Sequence, residues 1–329
     1  MNQVTIGVLG LSDIAQRAII PNIIENQNFK LSAIASRSKD KIDAFVNKSG
    51  DGSLKYYSSY HKLIQQGDCQ AIYVPLPNAM HFEYILASLE KGIHVLCEKS
   101  LTCSYRQTQQ LMDLARTKGL VIVENFQFRF HKQLTVITDL IKRKEFGELR
   151  VFNSTFCFPP FPEKNNIRYS KELGGGALLD AGAYPIKLAQ IILGTDLNVE
   201  AAKYHVDAQT GVDIWGGAFL SHSVNSTFGH ASFGFDNFYR CSVELIGQNG
   251  RITTNRIFTA KPDNEVSILF EHGYESEVIK LSPDNAYINM LDHFHGLISL
   301  NQPDQRELEY IQNLHQSRLL HQFKQKLNG

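Results

Sequence analysis

The chain has 329 residues, 43% of them hydrophobic and 20% charged, which is apolar mass enough for two globular domains. Lysine plus arginine equals aspartate plus glutamate at 33 each, and a zero formal charge excludes a nucleic-acid groove or a polybasic membrane surface, since both need a field of one sign. The cysteines, Cys69, Cys97, Cys103, Cys157 and Cys241, form no C-x-x-C pair, which argues against a disulfide framework and for a reduced, cytoplasmic setting.

Val4 to Leu9 is an apolar run of the kind buried on both faces of a sheet. No basic segment and no long apolar one precedes it, so no signal peptide is expected; no later stretch reaches the roughly 18 apolar residues of a membrane span. Ile14 to Asn26 reads as a helix, striped by Ile14, Ala18, Ile19 and Ile23. Lys30 to Ser36 follows as a strand and Ser38 to Lys48 as a helix opened by a Ser N-cap. Next come a strand at Ala71 to Pro75, a helix at His81 to Lys91 stopped by Gly92, and a strand at Ile93 to Cys97. A helix at Ser104 to Lys118, stopped by Gly119, leads to a strand at Leu120 to Glu124. Apolar strands alternating with helices predict an α/β domain over residues 1–124, a Rossmann-type doubly wound parallel sheet.

After Glu124 the pattern changes. A helix at Lys132 to Lys144 and a half-buried strand at Arg150 to Phe158 precede a proline-rich loop, Phe158 to Glu163. A glycine run, Gly174 to Gly176, opens a helical stretch, Ala177 to Leu193. Val199 to Lys280 holds strand-like segments separated by turns such as Gln248-Asn249-Gly250, and from about Tyr287 the chain is helical and polar. Residues 125–329 are therefore expected to form an α+β domain on an open, mostly antiparallel sheet that holds the substrate. Covering the open face of that sheet predicts a homo-oligomer, a dimer or tetramer.

The turn after the first strand reads Gly10-Leu11-Ser12-Asp13-Ile14-Ala15, which is G-x-S-x-x-A where the dinucleotide fingerprint is G-x-G-x-x-G/A. Gly10 permits the tight turn. Ser12 is small enough for backbone N–H groups here, those of Asp13 and Ile14 among them, to approach a pyrophosphate at the helix N-terminus. The second strand ends in Ser36 and Arg37, where an NAD site usually has a carboxylate for the ribose. A hydroxyl and a guanidinium suit a 2′-phosphate and hence NADP(H), the alternative being a solvated arginine. Two more segments fall at carboxyl ends of strands, where open α/β sheets bind ligands. One is Pro75-Leu76-Pro77-Asn78 with His81 beyond it, in which Asn78 is either a helix cap or a ligand contact. The other is Glu98-Lys99, a charged pair where a nicotinamide should lie.

These motifs together resemble the glucose–fructose oxidoreductase / inositol dehydrogenase (Gfo/Idh/MocA) family. The resemblance rests on the Gly10 turn, Pro77-Asn78-x-x-His81, Gly92-x-His94-Val95-Leu96-Cys97-Glu98-Lys99, Glu124-Asn125, and Gly174 through Tyr184. It implies that Lys99 and Tyr184 work beside the nicotinamide, that Asn125 joins the cofactor site, and that the second domain carries the substrate pocket. Asp13-Ile14-Ala15, Phe158-Pro159-Pro160, Ile167-Arg168-Tyr169 and Tyr184-Pro185 are similar in particular to nucleotide-sugar 3-ketoreductases. That likeness implies reduction of the 3-keto group of a dTDP-linked 3,4-diketo-2,6-dideoxyhexose. Ser100 stands where relatives usually have proline after Glu-Lys. The family's bond there is commonly cis, which costs about 2.5–4 kcal/mol before a non-proline residue against about 0.5–1 before proline. Either the loop keeps that bond or Lys99 is aimed by a different backbone.

Carbonyl reduction needs a hydride, from NADPH, and a proton for the developing alkoxide. Tyr184 is the expected proton donor, with Lys99 favouring the phenolate and holding the substrate oxygen. Asp180, four residues before Tyr184 on one helix face, is expected to orient Lys99 or contact a sugar hydroxyl, aided by close ligand approach at Gly174 to Gly176. The alternative for Asp180 is an early-helix carboxylate favoured by the macrodipole. Arg168 and Tyr169 are expected to line the substrate pocket, Arg168 as the cation for a diphosphate; an ordinary loop pair is the alternative. His131, His293 and His295 lack a metal-ligand pattern, and no metal is expected. Two other functions stay open: a dehydrogenase of free sugars, cyclitols or dihydrodiols, and a non-catalytic NADP-binding regulatory protein.

Overall fold

The computed structural model describes residues 3–49, 52–163, 165–300 and 302–326. The chain forms two compact units, one of Met1–Asn125 with Tyr287–Leu314, the other of Phe126–Ala286 with His315–Gly329.

In the first unit β1 (Val4–Leu9), β2 (Phe29–Ala35), β3 (Lys55–Tyr57), β4 (Ala71–Val74), β5 (His94–Glu98) and β6 (Ile122–Asn125) make one sheet in the order β3-β2-β1-β4-β5-β6. All five pairings are parallel. The order reverses between β1 and β4, the switch point where open α/β sheets leave a crevice beyond the strand ends. The connecting helices are α1 (Ile20–Glu25), preceded by a π turn at Ala15–Ile19, then α2 (Lys39–Ser49), α3 (Tyr60–Gln66), α4 (Asn78–Glu90) and α5 (Tyr105–Lys118). Ile6, Val8, Ile34, Ile72, Tyr73, Val95 and Leu96 are fully enclosed, as continuous apolar strands covered on both faces must be. α5 stops at Gly119, whose φ of +65° is the left-handed C-cap that glycine adopts most easily. The Tyr287–Leu314 segment packs on this unit. The Tyr310 hydroxyl donates to Leu120 O, Asn313 Nδ2 donates to Ile122 O at 3.2 Å, and Arg116 pairs with Glu307 at 2.9 Å. A division at residue 124 does not contain this return of the chain.

The second unit holds α6 (Lys132–Ile141), β7 (Leu149–Cys157), a π turn at Leu178–Gly182 that runs into α7 (Ala183–Leu193), and β8 (Leu197–Val206). It continues with β9 (Asp213–His222), β10 (Phe228–Gly234), β11 (Arg240–Gly247), β12 (Gly250–Asn255), β13 (Val266–His272) and β14 (Glu275–Leu281). α8 (Ala286–Ser299) and α9 (Pro303–Gln325) follow, and their stretch from Tyr287 to Leu314 belongs to the first unit. The eight strands follow the order β14-β13-β12-β11-β7-β10-β9-β8, antiparallel except for the β7–β10 pair. Alternation sets the faces: in β11 Cys241, Val243 and Leu245 are buried while Ser242, Glu244 and Ile246 are half-buried. The two sheets are the doubly wound and mostly antiparallel ones expected.

Candidate active site

The first turn is built around Gly10. Its φ is +119°, and a Cβ there would lie 3.1 Å from Leu76 Cδ2, so glycine serves both the backbone conformation and the approach of the loop after β4. Ser12 heads the π turn; its carbonyl accepts from Gln16 N at 3.1 Å and its hydroxyl from Ala15 N at 3.4 Å. Asp13 is exposed and paired with Arg17 at 2.5 Å, Ile14 is half-buried, and Ala15 is fully buried against the sheet.

At the end of β2, Ser36 is buried and its Oγ accepts from Ser38 N at 3.2 Å. Arg37 is exposed, its guanidinium 5.8 Å from the centroid of the Tyr60 ring. Lys41 reaches back from α2 to donate to Leu11 O at 3.4 Å, and the Tyr60 hydroxyl sits 3.7 Å from the Cβ position of Gly10. A hydroxyl, a guanidinium and an ammonium around one turn suit a phosphate. Lys41 and Tyr60 carry no sequence signal of this placement: one looks like any lysine on an amphipathic helix, the other lies between recognisable elements.

His81 is fully buried, with Nε2 2.7 Å from Leu76 O and Nδ1 2.8 Å from Ser100 O; burial lowers its pKa. It ties the loop after β4, which includes buried Pro75 and Leu76, to the loop after β5. Asn78 is the first residue of α4, with Pro77 in the cap position.

Glu98 Oε1 accepts from the Tyr73 hydroxyl at 2.7 Å and from Asn125 Nδ2 at 2.6 Å. Burial pushes the Glu98 carboxyl up, while these hydrogen bonds and the Lys99 charge pull it down. Burial, helped by Glu98, pushes the Tyr73 phenol well above its usual range. Asn125 is 2% exposed, and its Oδ1 meets no polar group among the described residues. A buried acceptor of that kind at the carboxyl end of β6 fits a donor carried by a ligand, and a nicotinamide carboxamide is one. Lys99 is half-buried, and the Lys99–Ser100 peptide is cis. Glu124 braces the same loop by accepting from Leu101 N at 2.7 Å.

In the second unit Tyr184 lies in the first turn of α7. Its ring centroid is 5.1 Å from that of Phe156, 5.4 Å from Phe126 and Phe258, and 6.0 Å from Phe128. Asp180 belongs to the preceding π turn and accepts from Arg168 Nε at 2.6 Å, so two expected substrate residues meet as an ion pair. The Arg168 guanidinium lies 4.6 Å from the Phe161 ring centroid, and the Tyr169 hydroxyl accepts from Phe161 N at 3.2 Å.

Gly175 and Gly176 are each pressed against other parts of the chain. A Cβ on Gly175 would collide with Arg168 O, and one on Gly176 with Asp213 Oδ1. The run seats the Arg168 segment and Asp213 against the π turn. Asp213, from β9, has no motif to mark it.

Among the described residues no group of histidine, cysteine and carboxylate side chains suits a metal ion, and no helix is long and apolar enough to cross a membrane. His131 caps α6 by accepting from Gln133 N at 3.2 Å, His293 pairs with Glu309 at 2.9 Å, and His295 lies 2.9 Å from Ser299 Oγ.

Residues 4–126 match the model described as oxidoreductase family, NAD-binding Rossmann fold (GFO_IDH_MocA), and residues 135–253 match the GFO/IDH/MocA C-terminal domain. The dTDP-3,4-didehydro-2,6-dideoxy-alpha-D-glucose 3-reductase of Saccharopolyspora spinosa is 39% identical over 268 residues, 82% of this chain and 79% of that one. The enzyme of the same name from Actinomadura kijaniata is 37% identical over 293 residues, 89% and 87% of the two chains. A crystal structure of a 3-ketoreductase from Actinomadura kijaniata in complex with NADP and TDP-benzene has a TM-score of 0.92 to this chain at 31% identity, covering 99% of this chain and 98% of that one.

Proposed function

The chain belongs to the Gfo/Idh/MocA oxidoreductase family, and we propose that it is a cytoplasmic, NADP(H)-dependent reductase of the 3-keto group of a nucleotide-linked deoxysugar. The likeness along nearly the full chain to a 3-ketoreductase solved with NADP and TDP-benzene carries this reading. The phosphate-suited set Ser36, Arg37 and Lys41 supports NADP over NAD.

Bound NADPH supplies the hydride. Backbone N–H groups after Gly10 hold the pyrophosphate, and Asn125, braced by Glu98, orients the carboxamide. Lys99 holds the substrate oxygen and stabilises the growing alkoxide as a cation. Tyr184 delivers the proton. Its wall of phenylalanine rings leaves the hydroxyl as the polar handle of that side chain. Asp180 works through Arg168, which meets the diphosphate with Tyr169 beside it.

The test is an assay of the purified protein with enzymatically generated dTDP-3,4-didehydro-2,6-dideoxyglucose, free aldoses and cyclitols, each with NADPH and NADH. The reading predicts NADPH-dependent reduction of the dTDP sugar with kcat/KM at least about 100-fold above any free sugar. A free sugar turned over with the higher kcat/KM would overturn it.

A further inference from the structure

The stretch that carries Asp180 and Tyr184 begins without a local cap: Ala177 occupies the cap position and has helical backbone and no capping side chain. The first amides of a helix still need acceptors. One comes from another element. Asp213, the first residue of β9, accepts from Leu178 N through Oδ2 at 2.5 Å, and the Ala177 amide also hydrogen-bonds it. Burial pushes the Asp213 carboxyl up and these amides hold it down. The contact is built in from both sides. Gly176 has φ +109°, and its missing Cβ is what admits the carboxylate.

A second close contact lies one turn on. A Cβ on Gly182 would sit 2.7 Å from Phe233 Cδ1 of β10, so the π turn lies flush on the β9–β10 pair between two glycines. A charged acceptor at the positive end of the helix and a ring under Gly182 together fix where the stretch lies along its own axis. Asp180 is two residues past the capped amide, and Tyr184 two residues past Gly182.

We infer that Asp213 is a positioning residue for the reaction, a carboxylate cap supplied by β9 that sets the placement of Asp180 and Tyr184. This rests on the proposal that Tyr184 delivers the proton.

The experiment is a double-mutant cycle of D213A and Y184F, with kcat, KM, NADPH Kd and melting temperature measured for all four proteins. D213A removes the acceptor and is expected to lower kcat about tenfold or more while NADPH Kd stays within about twofold, and to add less than about twofold in the Y184F background. D213L replaces D213A if the latter melts below the assay temperature. Wild-type kcat in D213A, or an equal loss in both backgrounds, overturns the inference, because an effect on general stability would not depend on the phenol. If Y184F itself turns over like wild type, the proton-donor assignment fails, and the Asp213 inference falls with it. That result is recognisable from the Y184F arm alone.

Discussion

Tyr184 is held by rings: Phe126, Phe128, Phe156 and Phe258 surround it at centroid distances of 5.1–6.0 Å. Removing only its hydroxyl keeps that packing, so Tyr184→Phe should lower kcat by about 10²–10⁴-fold while NADPH affinity and melting temperature hold; unchanged turnover would remove it as the acid. At the proposed 2′-phosphate site, Arg37→Ala should weaken NADPH about tenfold and NADH less than about twofold by fluorescence titration. Equal losses for both nucleotides would remove the 2′-phosphate assignment, and Lys41→Ala should behave as Arg37→Ala does. Residues inside contiguous motifs were legible as candidates: Gly10, Lys99, Asp180 and Tyr184 sit at spacings tied to turns and helix faces. Lys41, Tyr60 and Asp213 were not, because each acts on a turn far away in sequence and makes no local pattern of its own.

Both helical stretches that carry candidate site residues start with a π turn, Ala15–Ile19 before α1 and Leu178–Gly182 before α7, and such turns recur at functional sites. Hydrophobic periodicity gave those stretches as helices but cannot distinguish a π turn from an α turn over five residues. Regular elements with apolar runs were readable; β3 was not, being three residues at the sheet edge with no buried side chain. α4 begins at Asn78 and not at His81 because Pro77 sets the entry, fixing φ at −60° in an extended conformation. At β5, His94 Nδ1 accepts from Val121 N at 3.0 Å, which requires an unprotonated ring nitrogen. Burial, with Arg306 nearby, lowers its pKa to about 4. The unfolded histidine titrates near 6.5, so between those values the unfolded chain takes up a proton that the folded one refuses. This contribution to stability is complete above about pH 6.5 and is lost as pH falls toward 4, on the order of 2 kcal/mol once partial exposure is allowed for. His94→Asn keeps an acceptor without the titration. The drop in melting temperature between about pH 7 and pH 4.5 should be smaller in that variant; an equal drop would contradict the assignment.

For the whole molecule, assembly is expected on the open face of the eight-stranded sheet. Phe219 lies 5.6 Å from Phe228 and 5.3 Å from His230 between ring centroids, and Arg251 bridges Glu244 at 3.4 Å and Glu271 at 2.6 Å. Sedimentation should find a dimer or tetramer that Phe219→Asp with Phe228→Asp converts to monomer; a monomeric wild type would contradict this. The two sheet types were legible from alternation and from continuous apolar runs. The return of Tyr287–Leu314 to the first unit was not, because a helix covering either sheet shows the same apolar stripe.

Whether Lys99 and Tyr184 serve one reacting carbon is read most directly from a crystal of the enzyme with NADP⁺ and a dTDP-linked sugar. The expected density puts Lys99 Nζ and the Tyr184 hydroxyl both within about 3.2 Å of the oxygen on the sugar carbon that faces the nicotinamide. A sugar bound at the nicotinamide with either group out of hydrogen-bonding reach of that oxygen would contradict it.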